Sequence, residues 1–187
     1  MRWSWIDRFE AFVSGKSCIA VKAVSTNDEP VDEYLLSYPH YPASLIIEGV
    51  AQAGGVLVAQ IEDFQHRVVL AKINRSEFHR LALPGDRLRF EVEINHLQES
   101  GAVVSGKVTC DDQLQAEVEL VFAYLGAEFD GVVLFEPAEF CKYMRNWKLF
   151  DVGVNQDGSS IQIPSHMVAA EQAMLVAHQR TREEQSI

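Results

Sequence analysis

Residues 45–61 read LIIEGVAQAGGVLVAQI. The run holds eleven hydrophobic residues and three glycines, and its only polar side chains are Glu48, Gln52 and Gln60. It reads as a helix, with Ser44 just ahead of it as the expected N-cap. A helix that is apolar all round must be buried on all sides. Its small residues, Gly49, Ala51, Ala53, Gly54 and Gly55, would let a sheet wrap closely round it. Each glycine in an exposed helix costs ~1 kcal/mol relative to alanine, a loss that close approach would offset.

Beyond the helix the chain is β. Residues 68–74 (VVLAKIN) read as one strand, and Pro84-Gly85-Asp86 as a turn. In RLRFEVEIN, residues 87–95, Leu88, Phe90, Val92 and Ile94 alternate with Arg87, Arg89, Glu91 and Glu93. That is the period of a half-buried antiparallel strand. Residues 102–110 and 115–124 read as two more strands, joined as a hairpin by a turn at 111–113. Upstream, residues 18–25 (CIAVKAVS) read as a strand and 26–44 as a loop broken by three prolines. Residues 1–16, rich in aromatics (Trp3, Trp5, Phe9, Phe12), read as a short helix or turn ending at Gly15. The expected fold class is α+β, one antiparallel sheet round a buried helix.

The last part of the chain differs. Residues 137–147 read as a helix opened by Pro137, a residue suited to the first helical position. Residues 151–163 look irregular, with a turn at Asp157-Gly158, and 165–184 read as a longer helix. The expected division is a domain over 1–125 and a mainly helical C-terminal extension over 126–187, too short for a second large domain.

Composition narrows the function. The chain has 187 residues, with 27 acids against 16 bases, a formal charge of −11. That balance disfavours nucleic acid, whose phosphates want a basic face. No basic amphipathic segment points to a membrane surface. Cys18, Cys110 and Cys141 form neither a disulfide framework nor a CxxC zinc spacing. No two histidines have metal-ligand spacing, so no metal is assigned. The opening residues, MRWSWIDRFEAF, hold no signal-peptide apolar run. A cytoplasmic protein is the expectation.

Glu48 needs an explanation. Burying an ionised carboxylate without partners costs several kcal/mol. The responses open to it are a raised pKa or a hydrogen-bond partner. Gln52 stands at i+4, on the same helix face, where its amide can donate to Glu48. A desolvated carboxyl held by an amide suits a general acid. The other reading is a partly wet glutamate stabilised by the helix N-terminus. The pattern alone leaves both open.

The run YPHYPASLIIEGVAQAGGVL, residues 38–57, resembles the helix-leading motif of the (3R)-hydroxyacyl-acyl-carrier-protein dehydratases of the hotdog fold. Pro39 and Pro42 match that family's later prolines; Leu45, Ile46, Ile47, Glu48, Ala51 and Gln52 match its helix. AVKAVSTNDEP and AKINRSEFHRLALPGDRLRFEVEI are similar to its sheet segments, so the likeness spans roughly residues 6–125. The resemblance implies loss of water from a 3-hydroxyacyl thioester on acyl carrier protein or coenzyme A. It implies a homodimer or higher oligomer with sites between subunits, and no cofactor. Glu48 takes the acid's role, with Gln52 orienting it. Amides near Ala43 and Ser44 polarise the thioester carbonyl, and Phe78 counts with them among substrate-binding positions.

The departure is at the base. In this register the family's histidine falls on Tyr34, a phenol with an unperturbed pKa ≈ 10. Its neighbours Asp32 and Glu33 would raise that value. His40, between the two matching prolines, is the second candidate. His79 lies on a strand that approaches the tunnel in the family. Three readings are open: a dehydratase using Tyr34 or His40; a hotdog thioesterase in which Glu48 activates water; and an acyl-binding or partner subunit without activity. Arg67, Lys72, Arg75, Arg80, Arg87 and Arg89 either gather into a patch for an acidic carrier or stand as solvated strand charge. Without a patch, a coenzyme A thioester gains.

Overall fold

The structure, a computed structural model, describes residues 4–28, 39–126, 129 and 134–184. Its elements are β1 (Arg8–Val13), β2 (Ser17–Ala23), α1 (Ala43–Gln60), β3 (Val68–Phe78), β4 (Arg87–Gln98), β5 (Gly101–Cys110), β6 (Gln113–Tyr124), α2 (Pro137–Asn146), α3 (Leu149–Val152), β7 (Gly153–Val154) and α4 (Ser165–Glu184). Seven strands form one sheet in the order β3-β6-β5-β4-β2-β1-β7. Every pairing is antiparallel except that of β1 with β7.

The sheet forms where the period-two pattern is strongest. Leu88, Phe90 and Val92 are fully buried. They share the inner face with Val104 and Val108 of β5 and Val118, Leu120 and Phe122 of β6. Full burial of such side chains contributes about 1.5–3 kcal/mol each, which makes this face the principal source of stability. Asp111 and Asp112 both take positive φ, 49° and 60°, as a tight β5–β6 hairpin turn requires.

Helix α1 lies against β2 to β6. Its glycines do what close packing asks of them. A Cβ on Gly49 would stand 2.8 Å from the Phe90 ring, and one on Gly54 would stand 3.1 Å from Phe122 and Val104. Burial is not complete, however. Glu48, Gln52, Gly55 and Ala59 recur at helical spacing and are only half-buried. They form an open stripe along α1. Hydropathy hides this stripe because glycine and alanine count as apolar.

Four sequence expectations are corrected. Residues 8–13 form a strand, not a helix or turn. A bulge between Phe9 and Ala11 puts an extra residue into β1, so Phe9 and Phe12, three apart, both reach the core. That spacing imitates a helical period. Helix α1 starts earlier than expected, with Pro42 at the N-cap and no side-chain cap bond; Ser44 is exposed inside the first turn. The supposedly irregular 151–163 holds the end of α3 and all of β7, and β7 adds a strand beside Phe12 and Val13. Strand β3 runs on to Phe78, beyond residue 74.

The C-terminal elements are tied to β1. The Phe9 amide donates to the Trp147 carbonyl at 2.7 Å. The Trp147 indole N–H donates to Ser4 Oγ at 2.9 Å, and its ring meets Phe9 edge-on. Cys141, Met144, Leu149 and Met167 are buried in the same hydrophobic cluster as the sheet's inner face. Arg145 grips Glu171 through two bonds, 2.9 and 3.1 Å, which joins α2 to α4.

Candidate active site

The site is built where the N-terminal segment crosses α1. Gly49 lets the chain pass close: the Trp5 carbonyl would be 3.4 Å from a Cβ there. From that position the Trp5 backbone N–H donates to Gln52 Oε1 at 2.8 Å. This bond fixes the amide's orientation. The carbonyl oxygen faces Trp5, and the NH2 group is left to donate to Glu48 Oε1, at 3.2 Å. Of the two responses open to Glu48, a partner is therefore present. The carboxyl lies on the open stripe, half-buried, rather than in a dry interior.

Ala43 and Ser44 are the first two residues of α1, and both are exposed. The first amides of any helix have no intrahelical acceptor, so these two suit a carbonyl oxygen. Further in, the Leu45 and Ile46 amides already donate to the Pro42 carbonyl. His40 is half-buried just ahead of the helix. Tyr34 lies outside the described residues. Phe78 ends the edge strand β3, away from α1's first turn in sequence and 38% exposed. Within one protomer, then, the structure brings Glu48 and Gln52 together and puts Ala43 and Ser44 one turn upstream. It does not join Phe78 to them.

Two residues escaped sequence reasoning. Trp5 is one, because its clamp on Gln52 spans 47 positions. Tyr41 is the other. It is 1% exposed, its N–H donates to the Ala82 carbonyl at 2.7 Å, and its ring meets Trp5 edge-on at 6.3 Å. Burial pushes the phenol well above its ordinary pKa, and the charges of Asp28, Asp7 and Glu48 push the same way.

The basic residues do not form one patch. Those on β3 and β4 are separated by β6 and β5. Arg75 pairs with Glu77 at 2.6 Å, Arg80 bonds Gln113, Arg87 bonds Glu10 and Arg89 faces Glu91. His79 sits 3.4 Å from Glu117. With Glu77 these two bring three potential metal-binding atoms within 4.8 Å of one another. Spacing could not reveal this cluster, since Glu117 comes from the neighbouring strand. It is exposed, and Glu77 is held by Arg75, whose hydrogen bond and charge keep the carboxyl below its usual range.

Comparison with known proteins agrees with this architecture. The FabA-like domain matches residues 3–119. The 3-hydroxyacyl-acyl-carrier-protein dehydratase FabZ of Pelotomaculum thermopropionicum is 35% identical over 119 residues, 63% of this chain and 85% of that one. FabZ of Symbiobacterium thermophilum is 38% identical over 123 residues, 65% of this chain and 87% of that one. Among solved structures, smu.793 from Streptococcus mutans, bound to acetyl CoA, superposes with a TM-score of 0.54 at 17% identity. It covers 67% of this chain and 93% of its own, a likeness of fold. The C-terminal elements lie outside the family match, and over the rest the chain belongs to the FabA-like family and has an α+β, hotdog-type fold.

Proposed function

We propose that this protein is a hydro-lyase that converts 3-hydroxyacyl thioesters to trans-2-enoyl thioesters in fatty-acid or related acyl metabolism. The observation that carries the reading is the Trp5–Gln52–Glu48 chain of hydrogen bonds. A carboxyl held at a fixed angle on an open helix stripe is what protonation of a leaving hydroxyl needs. A base removes the Cα proton, and the C–O bond at the third carbon breaks. Glu48 gives its proton to the departing oxygen, which leaves as water. The base is Tyr34 or His40. Amides at Ala43 and Ser44 take the negative charge that develops on the thioester carbonyl.

The working unit in this reading is a homodimer or higher oligomer in the cytoplasm, with a hotdog domain over 1–125 and an extension over 126–187. The half-open α1 stripe and the exposed edge strand β3 support it, since both remain to be covered in one protomer. Phe78 then contributes to the acyl site from that edge. The FabZ relatives are named for acyl-carrier-protein substrates. Dispersal of this chain's basic residues favours a coenzyme A thioester alongside them.

The test is a panel of 3-hydroxyacyl and trans-2-enoyl thioesters, with products followed by mass. Interconversion of the two forms is the expected result, and His40→Ala and Tyr34→Phe then identify the base. Release of free acid would replace the reading with a thioesterase centred on Glu48. Intact thioesters bound without turnover would replace it with an acyl-binding subunit.

A further inference from the structure

A cavity of about 420 Å³ lies where the last turn of α1 meets the end of β1 and the segment that follows β7. Its volume is in the ~300–1,000 Å³ range of small-molecule sites. Gln60 lines it and follows Glu48 by twelve residues, about 18 Å along the helix, so the cavity is separate from the candidate active site. Ser14, Asp63, Ser160 and Gln162 line it as well, beside three isoleucines. That wall is too polar for an acyl chain.

Gln60 is the residue that packing does not explain. It is 4% exposed, and its Oε1 is buried without a hydrogen-bond partner. Its Nε2 makes no hydrogen bond to a described residue either. A buried amide without partners has lost its hydration and gained nothing in return. Leucine would fill the position at lower cost. The amide turns about its last side-chain bond, so either end can meet a molecule in the cavity.

The opposite wall stands without a ligand. Gln156 Nε2 donates to the Ser14 carbonyl at 3.3 Å, the Asn155 amide to the Ser159 carbonyl at 2.7 Å, and the Ile161 amide to the Gly153 carbonyl at 3.0 Å. Little ordering would be needed on binding. The charge of the site is one-sided. Among the described residues, no lysine, arginine or histidine lines the cavity. The last turn of α1 has no basic residue, so the negative end of this 18-residue helix is left uncompensated. The Asp63 carboxylate adds to it. Anions, the phosphates of a coenzyme A thioester included, are disfavoured there, and a cation is favoured.

We propose that this cavity is a second ligand site, for a small alkylammonium ion whose N–H groups donate to the Gln60 amide oxygen and the Asp63 carboxylate. The wall residues from 155 to 164 lie outside the family match, so the site depends on the C-terminal part of this chain. The inference is independent of the dehydratase reading.

The test is calorimetric titration of the full chain with putrescine, and separately with the uncharged butanediol of the same chain length. About 0.15 M salt screens general attraction to the acidic surface. The expected result is saturable binding of one putrescine per chain and none of the diol. Gln60→Leu should keep or raise the melting temperature and weaken putrescine binding about tenfold or more. Asp63→Asn, an exposed change that leaves the fold intact, should weaken it to a similar degree, and it carries the test if Gln60→Leu does not fold. No saturable binding, or equal binding of the diol, would overturn the proposal. So would binding that persists unchanged in a folded Gln60→Leu or in Asp63→Asn, since the amine would then sit elsewhere on the surface.

Discussion

At one edge of the sheet, β1 is paired by β7, and Trp147 is bonded to both Ser4 and Phe9. At the other edge, β3 runs for eleven residues with Leu70, Ile73 and Phe78 at 38%, 45% and 38% exposure. An uncovered edge offers a row of backbone donors and acceptors for another strand. The chain thus spends its C-terminal elements, which the family match does not include, on one edge only. In the proposed homodimer, the edge left open is the one a second copy of the chain covers, together with the stripe of α1 that carries Glu48. Closure of the first edge serves stability; on the proposed reading, the openness of the second serves the site.

The largest effect should come from undoing the closed edge. Trp147→Ala removes a buried ring, its bond to Ser4 and its contact with Phe9. The expected loss is about 3–5 kcal/mol, read as a lower denaturant midpoint. Ile73→Lys, at the open edge, should leave folding nearly unchanged. It should weaken self-association by about 100-fold, or ~2.7 kcal/mol, seen by sedimentation. Stable folding with dimers intact would show that β3 is not the joining edge. Gly54→Ala sets a methyl 3.1 Å from Phe122 and Val104 and should cost about 1–3 kcal/mol.

The smallest effect belongs to the Arg145–Glu171 pair. The Arg145 hydrogen bonds hold the Glu171 carboxyl below its usual range. A depressed carboxylate adds stability that is present above its unfolded pKa and is lost as pH falls through the lower folded value. Arg145 is largely solvated, so Arg145→Ala should cost under about 1 kcal/mol at neutral pH and less in high salt. The difference from the unaltered protein should vanish in acid.

The same contrast runs through what the sequence made legible. Strand β4 and the β5–β6 hairpin were plain because strict alternation and turn residues are local signals. Helix α4 matched its expected span, 165–184, for the same reason. Strand β1 was misread because its bulge produces a three-residue spacing. The two residues of β7 are held by pairing with β1 rather than by any propensity of their own. In the site, Glu48 with Gln52 was visible as an i, i+4 pair on one helix. Trp5 was not, since it bonds Gln52 across 47 positions, nor was Tyr41, whose ring contact with Trp5 arises only in the tertiary fold. The open stripe was hidden by the small size of Gly55 and Ala59.

The central claim is that Glu48 handles the hydroxyl of a 3-hydroxyacyl thioester at the open side of the fold. The most direct measurement runs the reaction backwards: a trans-2-enoyl thioester is incubated with the protein in oxygen-18 water, and the products are weighed. The account predicts the label in the 3-hydroxyl group of an intact thioester. It further predicts that Glu48→Gln, with the fold intact, slows that incorporation by about 10²- to 10⁴-fold. Label in a free carboxylic acid, or equal incorporation by Glu48→Gln, would contradict it.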